Sequence, residues 1–296
     1  MTAAAWSLCL ALVLAGLSRI NWPVQAVSPD GRRYLTAGSG RPVSLPFMLR
    51  WLLPRLCGDS LRRWRWCTTA HLVALPPLVT VWMAPWVADD RLRVIGGLLL
   101  CGMPGIWRIQ LRWPVLVDGT AMAWALGSAI CFQHGLWVPG IAAVLVSGCV
   151  KETAPVFAAC FAWHWVALVG LAAPLVRRLT GTIGEDLFGQ PDLLKDPWRA
   201  GSLYHAGKWF DPLAMLTPWG AGLLAALSVD TRIAPMLIVT VALAYAQLLI
   251  ATDTARLYQW AAPPVVLGAV QVMPSRWAIA ILIVHLCNPW AGSAET

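Results

Sequence analysis

Long apolar runs dominate this chain, and the polar residues gather in short clusters between them. The runs fall at about 2–18, 68–87, 92–107, 113–132, 137–150, 153–176, 212–229, 233–251, 257–272 and 277–289. A helix of about 20 apolar residues spans a hydrocarbon core about 30 Å thick. The pattern therefore predicts an all-α fold, a polytopic transmembrane helix bundle of roughly eight to ten spans in a single domain, 1–296. Pro76-Pro77 and Met103-Pro104-Gly105 should break or kink the second and third spans. The fifth, 137–150, is short for a crossing.

Two polar stretches stand out: a first loop, 19–67, and a long polar loop, 177–211, whose length suits a segment that covers a substrate. Within the first loop, 45–56 sets Phe47, Met48, Trp51 and Leu52 against Arg50 and Arg55. The segment 59–66 sets Leu61 and Trp64 against Arg62, Arg63 and Arg65. Pro54 and Gly58 separate them. This alternation predicts two membrane-parallel helices, apolar on one side and basic on the other.

Composition strengthens the membrane reading. Charged residues make up 12 % of the chain against 58 % hydrophobic, far below the roughly 25 % charge of soluble domains. Nineteen Trp suit helix ends at a lipid interface, where the ring is apolar and the N–H needs a partner. The net charge of +8 would suggest nucleic acid in a soluble protein, but nine of the 22 basic residues lie between Arg19 and Arg65 among apolar and Trp residues. Membrane lipids with anionic headgroups are the expected partner, and nucleic acid is not. No Lys or Arg precedes the first run, which reads as a retained span instead of a signal peptide. The eight Cys form no C-x-x-C pair and read as packing residues.

The polar residues that can carry chemistry are few. Asp30 is the sole carboxylate between the first span and Asp59, and its Pro-Asp-Gly context equally suits a turn. Arg33 and Tyr34 follow it. Arg50 suits a phosphate, either of lipid or of substrate. Asp118 falls at the start of the fourth span, where a carboxylate must face protein or water, and Arg112, Arg50 or Lys151 are its candidate partners. Lys151 and Glu152 sit together between two apolar runs. His205 lies in the long loop, and Asp253 and Arg256 share a helical face and can pair. The other His residues have no carboxylate at metal-ligand spacing, so no metal site is expected. No cofactor is called for either, although a divalent cation has one conceivable seat, Asp89-Asp90, which reads better as a charged turn.

Together these pieces resemble the polytopic glycosyltransferases of the C-type fold, in particular small bacterial or phage-type members that use polyprenyl-phosphate sugars. The likeness rests on a first span, an acid early in the next loop (Asp30), the segment 45–66, Lys151-Glu152-Thr153, and Asp253-Thr-Ala-Arg-Leu shortly before Pro263. It implies a transferase in the bacterial inner membrane that moves a sugar from a polyprenyl-phosphate donor to an envelope or lipid acceptor. Asp30, and with it Asp118, would serve catalysis, while Arg33, Tyr34, Arg50, Lys151, Glu152, His205, Asp253 and Arg256 would bind substrate. The paired acids common in the family's first loop, and a large C-terminal soluble domain, are missing here. A multi-pass transporter or flippase, or a non-catalytic membrane subunit, is the alternative. An intramembrane Asp118 and Pro-broken helices also describe a transport pathway.

Overall fold

The computed structural model describes residues 2–21, 27–184, 215–228, 230–249 and 254–287. Every regular element among them is helical. In chain order these are α1 (Ala3–Asn21), α2 (Pro29–Gly38), a 3-10 turn (Phe47–Leu49), α3 (Leu52–Cys57), α4 (Leu61–Trp82), α5 (Asp90–Leu99) and a π turn (Pro104–Arg108). Then come α6 (Ile109–Arg112), α7 (Asp118–Gln133), α8 (Trp137–Val150), α9 (Ala154–Ala162), a 3-10 run (Trp165–Leu171) and α10 (Ala172–Thr180). A 3-10 run at Thr217–Leu227 and helices Ala234–Ala246, Thr254–Tyr258, Ala262–Val272 and Ala278–Leu286 follow, with further short 3-10 turns at Leu100–Gly102, Gln247–Leu249 and Gln259–Ala261.

Among the described residues one helix, Ala3–Ile20, is long and apolar enough to cross a membrane, a property it shares with signal sequences. Asp90–Gly102 and Pro104–Arg112 pass the same test as a pair but bend by 67° between them. Apart from α4, which has 22 residues but is less apolar, the other runs are cut into shorter pieces. At 1.5 Å per residue α7 and α8 are only about 24 and 21 Å long. The run expected at 153–176 is not one helix. It ends at Trp163, whose backbone is left-handed (φ 49°), and restarts where the His164 ring accepts from the Val166 N–H at 3.2 Å.

The first loop also differs from expectation. Residues 61–66 are not a separate membrane-parallel helix but the opening turns of α4, because nothing from Leu61 to Leu75 is Gly or Pro and the helix propagates. Pro76 and Pro77 lie inside α4 without ending it. The Thr80 hydroxyl donates to the Pro76 carbonyl at 2.9 Å in the turn that follows.

The chain divides into two compact units, one of Met1–Leu17, Val73–Ile109 and Asp192–Thr296, the other of Ser18–Leu72 and Gln110–Pro191. In the first unit, buried amide and imidazole groups stitch the helix breaks. Gln259 accepts from the Gly105 N–H at 2.6 Å and donates to the Pro218 carbonyl at 3.0 Å. His285 bridges the Leu99 carbonyl (2.7 Å) and the Ala221 N–H (3.1 Å), which assigns its proton to Nε2.

In the second unit α7 packs against both α8 and α9, and α8 packs on the 3-10 run Trp165–Leu171. There a Cβ on Gly170 would lie 2.7 Å from the Val144 carbonyl oxygen, so this close backbone approach needs glycine. α2 lies on α3 in the same way: a Cβ on Gly38 would overlap the Gly58 carbonyl. The last turn of α1 is tied to this unit by Arg19, which donates to the Leu111 carbonyl and the Thr69 hydroxyl, both at 2.7 Å.

Candidate functional site

The site begins at α2. The Ser28 hydroxyl accepts from the Gly31 N–H at 3.1 Å, Pro29 occupies the first turn, and Asp30 follows it. Cap, proline and acid are the three features that start a helix, and the carboxylate also favours the positive end of the helix dipole. The Pro-Asp-Gly sequence thus opens a helix instead of a turn. One helical turn on, Arg33 lies 3.5 Å from Asp30. Arg33 is buried, whereas 23 % of the Asp30 side chain remains accessible.

Tyr34, next on α2, is fully buried against the edge of Phe47 (5.3 Å between centroids) and near Trp64 (6.0 Å). Its hydroxyl accepts from Arg50 Nη1 at 2.7 Å. Arg50 caps the 3-10 turn and sends its other edge to Glu152, with Nε and Nη2 donating to the two carboxylate oxygens at 2.7 and 2.6 Å. This two-point fork is the strongest geometry available to an arginine and a carboxylate. The guanidinium groups of Arg33 and Arg50 both lie over the Phe47 ring, at 4.9 and 5.5 Å from its centroid.

Asp118 begins α7, and Lys151 ends α8 in extended backbone (φ −150°, ψ 127°), its N–H held by the Ser147 carbonyl at 2.8 Å. Because α7 packs on α8 and α9, the two side chains meet, and the Lys151 ammonium donates to Asp118 Oδ1 with both side chains buried. Asp118 therefore has the basic partner that a buried carboxylate requires. Glu152, the next residue, turns the other way to Arg50 and stays partly accessible. α2 reaches this region through Gly31, where a Cβ would lie 3.2 Å from Val115 Cβ, three residues before Asp118.

The electrostatics follow from the pairings. Burial would raise the Glu152 carboxyl, but Arg50 beside it outweighs burial and holds it below the ordinary carboxylate value. Burial would lower Arg50, yet Glu152 and Tyr34 keep its guanidinium firmly charged. Burial pushes the Tyr34 phenol well up, so Tyr34 stays neutral. Asp30–Arg33, Arg50–Glu152 and Lys151–Asp118 thus give three acids matched by three bases.

Seven of the ten residues singled out from the sequence, Asp30, Arg33, Tyr34, Arg50, Asp118, Lys151 and Glu152, belong to this one unit. Arg256 is buried in the other. His205 and Asp253 lie outside the described residues. Arg50 is not simply waiting for a phosphate: its fork is filled by Glu152, which a phosphate would have to displace. The sequence reading missed Ser28 as the cap that orients Asp30, although Ser-Pro-Asp is a legible helix start. Among the described residues no three His, Cys, Asp or Glu side chains group to hold a metal ion, and Asp89 instead caps α5, accepting from the Arg91 N–H at 2.8 Å.

The eight Cys are free thiols. The Cys67 thiol is held below its ordinary value by a hydrogen bond from Cys57 and, against the effect of burial, by His71, whose Nδ1 is 3.7 Å from the sulfur. Comparison with protein-family models, curated proteins and solved structures found no match for the chain.

Proposed function

We propose that the chain is a polytopic membrane glycosyltransferase of the C-type fold, transferring a sugar from a polyprenyl-phosphate donor to an envelope or lipid acceptor in a bacterial inner membrane. The observation that carries this reading is the docking of the first loop, through Arg50, onto Glu152, 102 residues later in the chain, beside the buried Lys151–Asp118 pair. Charged side chains from three separate stretches would gain nothing from such a meeting unless buried charge has a task, since an apolar core is at least as stable. Membrane embedding is supported by α1 and by the apolar side chains left exposed on it, among them Trp6, Leu12, Val13 and Leu17. The shorter helices would then cross as broken or bent spans.

In this reading the roles follow accessibility and pairing. Asp30 and Glu152 are about equally accessible, but both Glu152 oxygens are engaged by the Arg50 fork, so Asp30 is the acid that meets an acceptor hydroxyl and takes its proton as that oxygen attacks the anomeric carbon. The bond from the anomeric carbon to phosphate oxygen breaks, and the electron pair leaves with the lipid phosphate, inverting the centre. Asp118 is buried and acts by holding Lys151, while Arg50 and Tyr34 hold Glu152 at the edge of the site. The test is incubation of purified protein in lipid with a polyprenyl-phosphate sugar and lipid acceptors, with products read by mass spectrometry. A new glycolipid of inverted anomeric configuration is the expected result. Movement of the donor across vesicles without any product would replace this reading with a flippase.

A further inference from the structure

α3 ends on Cys57, α4 opens at Leu61, and Cys67 lies in the second turn of α4. Between the helices the chain turns at Gly58 (φ 60°), where the Ser60 N–H donates to the Cys57 carbonyl at 3.3 Å and the Trp64 indole donates to the Gly58 carbonyl at 3.0 Å. This turn folds the end of α3 against the start of α4, and two thiols meet there. Cys57, which is buried, donates to the sulfur of Cys67, which is partly accessible. His71 completes the group one helical turn further on. Its Nδ1 is 2.8 Å from the Cys67 carbonyl oxygen, which can only accept, so Nδ1 carries the proton, and the same N–H faces the Cys67 sulfur at 3.7 Å.

A cysteine that served packing alone would need neither donor. With both aimed at it, the Cys67 sulfur is prepared to carry negative charge, and the thiolate is the form that attacks. Arg63, exposed one turn earlier on α4, adds positive charge beside the pair. Cys57 has the opposite character: the hydrogen bond it donates and its burial push its thiol well up, so it keeps its proton. An accessible attacking thiol beside a second, protonated thiol is the layout of a redox-active pair.

We propose that Cys67 and Cys57 form such a pair and exchange with small, water-soluble disulfides, Cys67 attacking and Cys57 resolving. The Cys67 thiolate attacks one sulfur of the small disulfide, whose S–S bond breaks, leaving a mixed disulfide on Cys67 and releasing one thiol. The Cys57 sulfur then gives up its proton and attacks the Cys67 sulfur, which closes the Cys57–Cys67 bond and releases the second thiol. In sum, two protein thiols are oxidised and one small disulfide is reduced to two thiols, which take up both protons. Both cysteines precede the apolar run 68–87, which places them outside the expected span. The new bond would close across the junction on which α2 rests, since Gly38 packs on the Gly58 carbonyl. This inference goes beyond the transferase reading and does not rest on it.

The test mixes full-length, reduced protein in neutral maltoside micelles with glutathione disulfide near neutral pH, stops the exchange with acid, and reads the products by mass spectrometry. Trypsin cuts at Arg62, Arg63 and Arg65 and parts the two thiols into peptides 56–62 and 66–91, each with one cysteine. In the wild type these two peptides should be joined by a disulfide before Cys9 or Cys287, the exposed thiols, carry glutathione. In Cys57→Ser, whose hydroxyl can still donate to Cys67, the exchange should stop at a glutathione adduct on Cys67 that the wild type does not accumulate. In Cys67→Ser, the Cys57 thiol should stay unmodified. The wild-type digest decides the pairing without any substitution: glutathione spread over the eight thiols with peptides 56–62 and 66–91 unlinked would overturn the proposal. Absence of a Cys67 adduct in Cys57→Ser would overturn the order of attack.

Discussion

Removing Glu152 should destabilise the protein out of proportion to its position at the edge of the site. Arg50 is 9 % exposed, and two of its three described hydrogen bonds end on Glu152. In Glu152→Ala the guanidinium keeps only the Tyr34 hydroxyl while remaining buried and charged. Breaking a fully buried pair this way costs about 3–5 kcal/mol. The Glu152 side chain is 21 % exposed, which allows water some access and puts the expectation at the lower end, about 3 kcal/mol. With a total stability of about 5–15 kcal/mol, that is a large share.

The diagnostic is a double-mutant cycle. Glu152→Ala and Arg50→Met should each be destabilising, but the double variant should recover much of the loss, since two apolar residues leave no stranded charge. Reversible unfolding of detergent-solubilised protein in denaturant gives the four free energies. A coupling of about 2 kcal/mol or more supports the fork. Additivity to within about 0.5 kcal/mol would show that Arg50 and Glu152 do not act as a pair, and would remove the link between the first loop and the Lys151-Glu152 segment.

Other consequences can be measured alongside. Because the Glu152 carboxyl is held below its ordinary value of 4.5, its stabilising effect is present above that pH and is lost as pH falls through the folded-state value. Thermal midpoints should therefore drop on acidification below about 4.5, with a smaller drop in Glu152→Gln; identical profiles for the two would count against the pairing. Gly38→Ala places a methyl group on the Gly58 carbonyl and should cost about 1–3 kcal/mol, so an unchanged midpoint would contradict the α2–α3 packing. Cys67 should react with iodoacetamide first among the eight thiols at neutral pH, as peptide mapping can show. Uniform labelling would argue against the Cys57–Cys67–His71 arrangement.

Much of the site could be read from the residues because buried charge is rare enough in an apolar chain to be conspicuous. Asp118 required a basic partner on physical grounds, and Lys151 was among the three named. Which of them it would meet was not readable, since 33 residues separate the pair and nothing local sets the angle between α7 and α8. The fork from Arg50 to Glu152 was hidden for the same reason. The error at 59–66 arose from a period that fits a short surface helix as well as the first turns of a long one. The expected crossings were drawn from apolar length, whereas the helices end where the backbone changes, at Trp163 and at Met103-Pro104.

The central claim is that Asp30 takes the proton of the acceptor hydroxyl while the buried pairs only hold the site in shape. Asp30→Asn keeps the side-chain size and leaves Arg50–Glu152 and Lys151–Asp118 intact, so the fold should persist, at a stability lowered by the loss of the Asp30–Arg33 ion pair. The decisive measurement is the initial rate of sugar transfer from a polyprenyl-phosphate donor by purified protein in lipid, wild type against Asp30→Asn, with the melting curve of each recorded in parallel. The account predicts transfer by the wild type, a fall of about 10²-fold or more in the variant, and a variant still fully folded at the assay temperature although its melting midpoint is lowered. Wild-type turnover with Asn at position 30 would contradict it.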